Sequence, residues 1–188
     1  MNQKLYTLFL CIILSAQTGC LYAMRYDGPY HGKIVDEQTR EPIEGVVVLG
    51  TWSVYHFSPA GGYHTYYDAR EAVTDKNGEF VIPGEGLRIF SSLEPMDFVI
   101  FKAGYKFREY QWRTLKIDIP KREEEQTKWE GDVPVFPIKK LTMEERKKQG
   151  SPARPDAPIE KMHLLTKEIN KERVELGLTP FELGGGSR

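Results

Sequence analysis

The sequence contains very little cysteine. Of its 188 residues only Cys11 and Cys20 carry a thiol. No disulfide can therefore form within residues 21–188, and no thiolate metal site can be built there. This part of the chain has to be held together by its hydrophobic core.

An excess of charge of one sign is also lacking. The chain has 26 Lys and Arg against 27 Asp and Glu, which gives a formal net charge of -1 at pH 7. Binding to nucleic acid depends on a basic surface that neutralises phosphates. The composition therefore excludes nucleic acid as an expected partner, and the length leaves room for one domain with tails.

The apolar run at residues 5–16 is too short to span a bilayer. Lys4 precedes it, and this order of a positive residue and a short apolar run is typical of a signal peptide. The sequence QTGC follows at residues 17–20 and resembles a bacterial lipobox, whose cysteine is acylated and becomes the mature N-terminus. Gln17 departs from the pattern, because an aliphatic residue is usual there.

The resemblance implies a lipoprotein signal peptide at residues 1–19, an acylated Cys20 and a tether at residues 20–29. The protein is then exported to the bacterial cell envelope and held to a membrane by its N-terminal lipid. Leu21 stands where an aspartate would favour retention in the inner membrane, so we expect the outer membrane, with the domain facing the periplasm. The alternative is an unlipidated signal peptide whose cleavage removes Cys20.

From residue 30 onward, short strand patterns alternate with turn signals. The run Val46–Leu49 is β-branched and typical of a buried strand, and residues 79–82 alternate polar and apolar. The pair Asn77-Gly78 predicts a tight hairpin between two strands. Several short strands with regular turns predict an antiparallel β-sandwich.

The order of these motifs resembles the carboxypeptidase regulatory-like domain. The resemblance implies a mainly β, transthyretin-like or immunoglobulin-like antiparallel sandwich over residues 30–120, with a binding or accessory role and no catalysis of its own. The chain departs from the family at Arg40, where glycine is usual, and in its longer segments 52–69 and 84–96. The matching residues are Gly32, Val35, Asp36, Thr39, Glu41, Pro42, Ile43, Gly45, Val46, Val48, Thr74, Asp75, Gly78, Phe80, Lys102, Ala103, Gly104 and Tyr105.

The segment 52–69 is rich in aromatic residues and glycine. Tyrosine and tryptophan offer a large contact area with a hydrogen-bonding tip, as in antibody binding loops. The sequence therefore predicts a contact surface for a protein, peptide or glycan, such as an unidentified envelope protein, or else tyrosines that cover the flank of their own sandwich. The predicted contact residues are Trp52, Tyr55, His56, Tyr63, His64, Tyr66 and Tyr67.

Two other functions stay open. Ring-cleaving dioxygenases of a related fold hold ferric iron with Tyr and His, but they use a His-x-His pair, whereas His56 and His64 are eight residues apart. We therefore expect no metal, no cofactor and no catalytic residue, although Ser58, Asp68 and the two histidines supply the groups of a hydrolytic site. A small-ligand carrier of transthyretin type would require a symmetric tetramer.

The charge, the prolines and the spacing of apolar residues predict the secondary structure of the C-terminal third. We expect an extended linker over residues 121–158, with an edge strand at 133–138 and a brief helix after the capping-box pattern Thr142-x-x-Glu145. Residues 159–177 predict an amphipathic helix that docks on its own sandwich or on a partner, including a second copy. The apolar stripe is Ile159, Met162, Leu165, Ile169, Val174 and Leu176, and the face expected in solvent includes Glu168 and Glu172. Residues 178–188 are expected to be a flexible tail.

Overall fold

The computed structural model of the protein describes residues 24–112, 115, 128–153, 155 and 157–182. The predicted signal peptide at 1–19 and the predicted lipidation residue Cys20 lie outside these residues. Over the described ranges the chain forms ten strands and two α-helices. The strands are β1 Met24–Asp27, β2 Tyr30–Asp36, β3 Val47–His56, β4 Tyr63–Val73, β5 Glu79–Ile82, β6 Gly86–Ile89, β7 Asp97–Phe101, β8 Arg108–Gln111, β9 Lys128–Glu130 and β10 Val133–Ile138; the helices are α1 Met143–Gln149 and α2 His163–Glu175, and a single 3-10 turn spans Ile159–Lys161.

Eight of these strands build two four-stranded sheets. One sheet has the order β5-β2-β10-β9, and the other has the order β4-β3-β7-β8. Side chains from both sheets meet in one buried core, and this confirms the predicted β-sandwich with a C-terminal helix. The largest fully buried members are Trp52, Phe98, Phe136, Ile34, Ile82, Met96, Ile100 and Ile138.

Strand β10 occupies an interior position, which corrects the predicted edge strand at 133–138. It lies between β2 and β9 and runs parallel to β2, with Phe136 opposite Ile34. The prolines at positions 134 and 137 favoured an edge, because proline cannot donate to a strand ladder. The burial of Phe136 and Ile138 between the sheets outweighs that preference.

The turn at Asn77-Gly78 is present, but the predicted hairpin is wrong. Gly78 has φ +75°, and its N–H donates to the Asp75 carbonyl at 2.9 Å. The strands on either side belong to different sheets, since β4 pairs with β3 and β5 pairs with β2. The local sequence therefore determined the turn, whereas contacts between distant residues determined which strands pair.

Helix α2 docks on the outer face of its own sandwich. Met162, Leu165 and Ile169 are fully buried against Leu49 and Phe101. The helix starts at His163, after a break at Met162 (φ -135°), so the predicted helix from residue 159 is too long at its N-terminus. The predicted stripe also drifts off the interface, and Val174 is 61% exposed.

Glu172 was expected in solvent and is buried. Arg146 of α1 donates to it from Nε at 2.9 Å and from Nη2 at 2.6 Å. The N–H of Gly104, in the turn after β7, donates to the same carboxylate at 2.8 Å.

The predicted capping box of α1 is confirmed, with Glu145 N donating to Thr142 Oγ1 at 3.3 Å.

The ends of the described chain are more ordered than the sequence predicted. Within the expected tether at 20–29, residues 24–27 form β1 and pair with β6. Within the expected flexible tail, Phe181 folds back onto α2, where its N–H donates to Asn170 Oδ1 at 2.6 Å. The guanidinium of Arg173 lies 4.1 Å from the centre of the Phe181 ring. Residues 24–27 and Phe181 therefore pack as part of the domain, outside the bounds that the sequence predicted.

Candidate functional site

The predicted contact segment is a β-hairpin with one register shift. Strands β3 and β4 pair from Val47 opposite Val73 to His56 opposite Tyr63. The pairing of β3 with β7 ends at Thr51, so the hairpin continues beyond that strand. Residues 92–94 flank β3 there, with Tyr55 N donating to the Ser92 carbonyl at 3.1 Å.

Trp52 does not belong to the contact surface. Its side chain is 1% exposed and packs in the sandwich core. Its indole Nε1 donates to Asp27 Oδ2 at 3.0 Å, and the guanidinium of Arg70 lies 5.2 Å from the ring centre. The large apolar ring lies on the inner face of β3, where the core excludes water more fully than the hairpin does.

The outer face of the hairpin carries Tyr55, His64 and Tyr66. Tyr55 is opposite His64, and their ring centres are 5.2 Å apart. His64 Nδ1 lies 2.6 Å from Glu94 Oε2, and Ser53 Oγ donates to the same oxygen at 2.9 Å. These two contacts let Glu94, in the segment between β6 and β7, hold this face in place. Partial burial and the negative charge of Asp68 also raise the pKa of Tyr66 above its ordinary value.

The opposite face carries His56 and Tyr63. The two rings are stacked, with centres 5.0 Å apart and planes at 16°. His56 Nε2 lies 2.8 Å from Thr65 Oγ1. Because side chains alternate between the faces of a strand, His56 and His64 lie on different sides of the hairpin.

Tyr67 lies at an irregularity in the hairpin. The ladder shifts between Trp52 and Ser53, and Tyr67 is the extra residue on β4. Arg88 Nη2 donates to the Tyr67 hydroxyl at 3.0 Å and to Glu85 at 2.8 Å. The hydrogen bond with Tyr67 raises the pKa of Arg88 above its ordinary value.

The groups of a hydrolytic site do not come together. Ser58 Oγ donates to the Gly61 carbonyl at 2.5 Å, and each histidine contacts a different partner, as described above. Asp68 pairs with Lys161 at 2.9 Å and with Arg70 at 3.3 Å. Partial burial favours its neutral form, but the hydrogen bonds from Lys161 and the Ala69 N–H, together with the charges of Lys161 and Arg70, outweigh this effect and lower the pKa of Asp68.

The described residues do not form a metal centre either. Within residues 24–112 and the described residues that follow, no group of three His, Cys, Asp or Glu side chains is placed to hold a metal ion. His56 and His64 also lie on opposite faces of the hairpin, so they cannot share one ion there. The rings of Tyr55 and Tyr63 contact the rings of His64 and His56 instead.

The remaining predicted residues are exposed except His56, which is half-buried, and one exposed residue was not singled out by the sequence. Tyr55 and Tyr66 are each 39% exposed, Tyr67 is 44% exposed and Tyr63 is 55% exposed. Phe57, in the turn between β3 and β4, is 83% exposed. Its position directly before a Ser-Pro-Ala-Gly-Gly turn was the available signal.

Sequence reasoning also missed Glu85, Arg88 and Glu94, which fix the hairpin from the segment 84–96. The only signal for these residues was the length of that segment, which exceeds the link usual in the family it resembles. Charged side chains in such a link are uninformative until the fold places them beside the hairpin. The contacts of these three residues with the hairpin therefore depend on the tertiary structure and could not be predicted from the sequence.

An open cavity of about 460 Å³ lies beside β1 and has an aromatic lining. Tyr26, Tyr30, Trp112 and Trp129 contribute rings to it, and Arg25 contributes a charge. A small-ligand function would use this cavity.

We found no match to the chain among family models, curated proteins or solved structures. The resemblance to the carboxypeptidase regulatory-like domain thus stays a prediction from motifs. Neither α-helix in the described part of the chain has the length and apolar character that crossing a membrane requires.

Proposed function

We propose that this protein is a non-catalytic module of the bacterial cell envelope, anchored by a lipid on Cys20, that binds another envelope protein through the β3–β4 hairpin. We call its contact region the aromatic hairpin surface. One observation carries the proposal: the hairpin exposes a dense set of rings on a strand pair. The surface consists of Tyr55, His56, Phe57, Tyr63, His64, Tyr66 and Tyr67.

The composition of the surface supports a binding role. Aromatic residues are enriched in protein interfaces and in their energetic hot spots, because each ring buries a large area at a low cost in side-chain entropy. Phe57 is 83% exposed, which is unusual for so large an apolar side chain unless it serves a contact. A partner that covers these rings would remove apolar area from water.

The order of the surface supports binding as well. His56 stacks on Tyr63, Tyr55 lies against His64, and Tyr67 is held by Arg88. Side chains fixed before association lose less entropy when a partner binds. The surface is therefore prepared for contact by strand pairing and by the segment 84–96.

The distribution of chemical groups favours binding over catalysis. A hydrolytic or metal-dependent site needs its groups to converge on one reacting atom. Here the two histidines lie on different faces, and Ser58 and Asp68 are each bonded to other residues. A contact surface makes no such demand.

The test is site-specific photocrosslinking in the native cells with the full chain. A photoreactive phenylalanine analogue is placed at Tyr63 or Tyr66, and at Val81 as a control. Val81 is 49% exposed on β5 of the other sheet, which matches the exposure of the hairpin positions. We expect one crosslinked envelope protein from both hairpin positions and none from Val81.

Equal crosslinking at all three positions, or none at the hairpin, would contradict the contact surface. The anchor is tested separately by mass spectrometry of the mature N-terminus and by membrane fractionation. An unmodified Cys20, or a wild-type protein found in the soluble fraction, would contradict the anchor. The Cys20→Ser variant is the control, and we expect it to leave the membrane fraction.

A further inference from the structure

The two-stranded ribbon formed by β1 and β6 has one apolar face and one charged face. Met24 is opposite Ile89, and Tyr26 is opposite Leu87. Residues directly opposite each other in an antiparallel pair project from the same side, so these four side chains share one face. We call this the ribbon face.

The charged side of the ribbon is the side that packs on the domain. Arg25 Nη2 donates to the Leu93 carbonyl at 2.5 Å, and Arg88 bonds to Glu85 and Tyr67. Asp27 is 4% exposed and accepts hydrogen bonds from side chains of the sandwich. The ribbon is therefore fixed to the body through its polar groups.

The ribbon face is exposed, with Tyr26 also bordering the open cavity beside β1. Met24 is 49% exposed, Ile89 53%, Leu87 56% and Tyr26 71%. A ribbon on a globular domain ordinarily buries its apolar side and exposes its polar side. This ribbon has the reverse arrangement, which calls for a contact outside the domain.

Phe90 extends the ribbon face. It directly follows β6, is 82% exposed and has φ +48°. A large side chain in the left-handed region is strained, and such strain is retained where it serves a function. Here the strained backbone places a large apolar ring in the solvent beside Ile89.

The distance to Cys20 points to what covers the ribbon face. Three residues lie between Cys20 and Met24, and the four steps from one Cα atom to the other span at most about 14 Å in a fully extended chain. An acyl group on Cys20 therefore keeps β1 within about 14 Å of the bilayer surface, whatever path the intervening residues take. An apolar face held at that distance is within reach of the lipid headgroup layer.

We infer that the ribbon face inserts into the interfacial layer of the membrane and fixes the orientation of the sandwich on it. The inference rests on the proposed lipid anchor. Aliphatic and aromatic side chains partition into this layer, and aromatic rings are enriched there. Arg25 and Arg88 lie behind the face, where their hydrogen bonds to Leu93, Glu85 and Tyr67 hold the ribbon against the domain while its apolar side faces the lipid.

The test uses single thiols, because the chain has no cysteine after Cys20 and an acylated Cys20 has no free thiol. Phe90→Cys and Leu87→Cys probe the ribbon face, and Phe57→Cys is the matched control. Phe57 is as exposed as Phe90, at 83% against 82%, but lies in the hairpin turn. Each full-length lipidated variant carries a polarity-sensitive fluorophore and is reconstituted into vesicles of phosphatidylethanolamine and phosphatidylglycerol.

Lipids with a nitroxide on the acyl chain report contact with the bilayer. We expect a blue-shifted emission and several-fold stronger quenching at positions 87 and 90 than at position 57. Equal, weak quenching at all positions in protein that floats with the vesicles would overturn the inference and leave the anchor standing. Self-quenching between labels at position 90 would point to a second copy on the ribbon face and would also overturn it. If the protein did not float with the vesicles and its Cys20 were unmodified, both proposals would be overturned.

Discussion

The indole Nε1 of Trp52 donates a 3.0 Å hydrogen bond to the carboxylate of Asp27. The same carboxylate accepts from the Tyr30 hydroxyl at 2.6 Å and from the Glu85 N–H at 3.0 Å. Asp27 thus ties the first strand of the domain to the hairpin and to the segment before β6. Burial, followed by the charge and hydrogen bond of Asp27, raises the pKa of Tyr30, so its hydroxyl stays a donor.

Replacing Asp27 should destabilise the domain strongly. Asp27→Ala leaves the donors of Trp52 and Tyr30 buried without their acceptor, and we expect a loss of about 2–4 kcal/mol in the free energy of unfolding. Asp27→Asn keeps one acceptor oxygen and should lose less. Denaturant titration followed by tryptophan fluorescence measures both, with the exposed Asp132→Ala as the control. Equal stability of Asp27→Ala and Asp132→Ala would contradict this role.

Replacing Arg40 by glycine should stabilise the protein. Arg40 is exposed and has φ +62°, at the position where the family that the sequence resembles usually has glycine. A Cβ atom in the left-handed region costs about 1–2 kcal/mol, and part of this gain is offset because glycine loses more backbone entropy on folding. We expect Arg40→Gly to gain about 1 kcal/mol in the free energy of unfolding.

The matched control for Arg40→Gly is Arg40→Ala. Alanine removes the charge and the long side chain but keeps the Cβ atom, so its stability should stay close to that of the wild type. A gain of the same size from both substitutions would show that the charge of Arg40, and not its backbone conformation, is the cause. Denaturant titration of the three proteins decides between the two.

Local patterns predicted the sandwich because strands and turns are determined by neighbouring residues. Gly78 and Asp75 form the predicted turn, and Val46 and Val48 are buried as their β-branched run indicated. The partners of the strands depend on contacts between distant residues. The interior position of β10 could not be predicted, because its prolines pointed to an edge and only the assembled core shows that Phe136 fills its centre.

The candidate site was predictable as a segment but not as a surface. Six of the seven predicted residues lie on the hairpin outside the core, whereas Trp52 points inward. A shift of one residue changes the face of a side chain, and the irregularity beside Trp52 could not be predicted from composition. The ribbon face was not predicted at all, because β1 lay in an expected tether and β6 in an expected link.

Breaking the buried pair Arg146–Glu172 should lower the free energy of unfolding more than replacing both residues by apolar ones. Glu172→Ala leaves the guanidinium of Arg146 in a site where its side chain is 9% exposed, and we expect a loss of about 3–5 kcal/mol in the free energy of unfolding. The double variant Arg146→Met with Glu172→Leu should recover part of this loss, because apolar groups need no partner. Recovery should be incomplete, since the Gly104 N–H also loses its acceptor.

Thermal and denaturant unfolding of both single variants and the double variant measure the coupling between the two residues. Lys171→Ala is the control, because the Lys171 side chain is 57% exposed in its 3.6 Å pair with Glu168, whereas Arg146 and Glu172 are both buried. Exposed pairs contribute at most about 1 kcal/mol. If Glu172→Ala cost no more than Lys171→Ala, the buried pair would not hold α2 on the sandwich.

The N-terminus of α1 should keep its capping box in acid solution. The hydrogen bond from Lys139 at 2.6 Å, followed by that from the Thr142 N–H at 2.9 Å, lowers the pKa of Glu145 to about 2. A carboxylate whose pKa is lower in the folded state stabilises that state above its unfolded pKa, and this contribution is lost as the pH falls toward the folded value. The stabilisation from Glu145 should therefore disappear between about pH 4.5 and pH 2.

The side-chain carboxyl signal of Glu145, followed by NMR through a pH titration, measures this shift directly. Lys139→Met removes its largest cause and should raise the pKa of Glu145 toward its ordinary value. Thr142→Ala removes the hydroxyl but keeps the backbone N–H, so it should raise the pKa less. A wild-type Glu145 that titrates at its ordinary value would show that the ion pair with Lys139 is screened in solution, and the capping box would then open at higher pH.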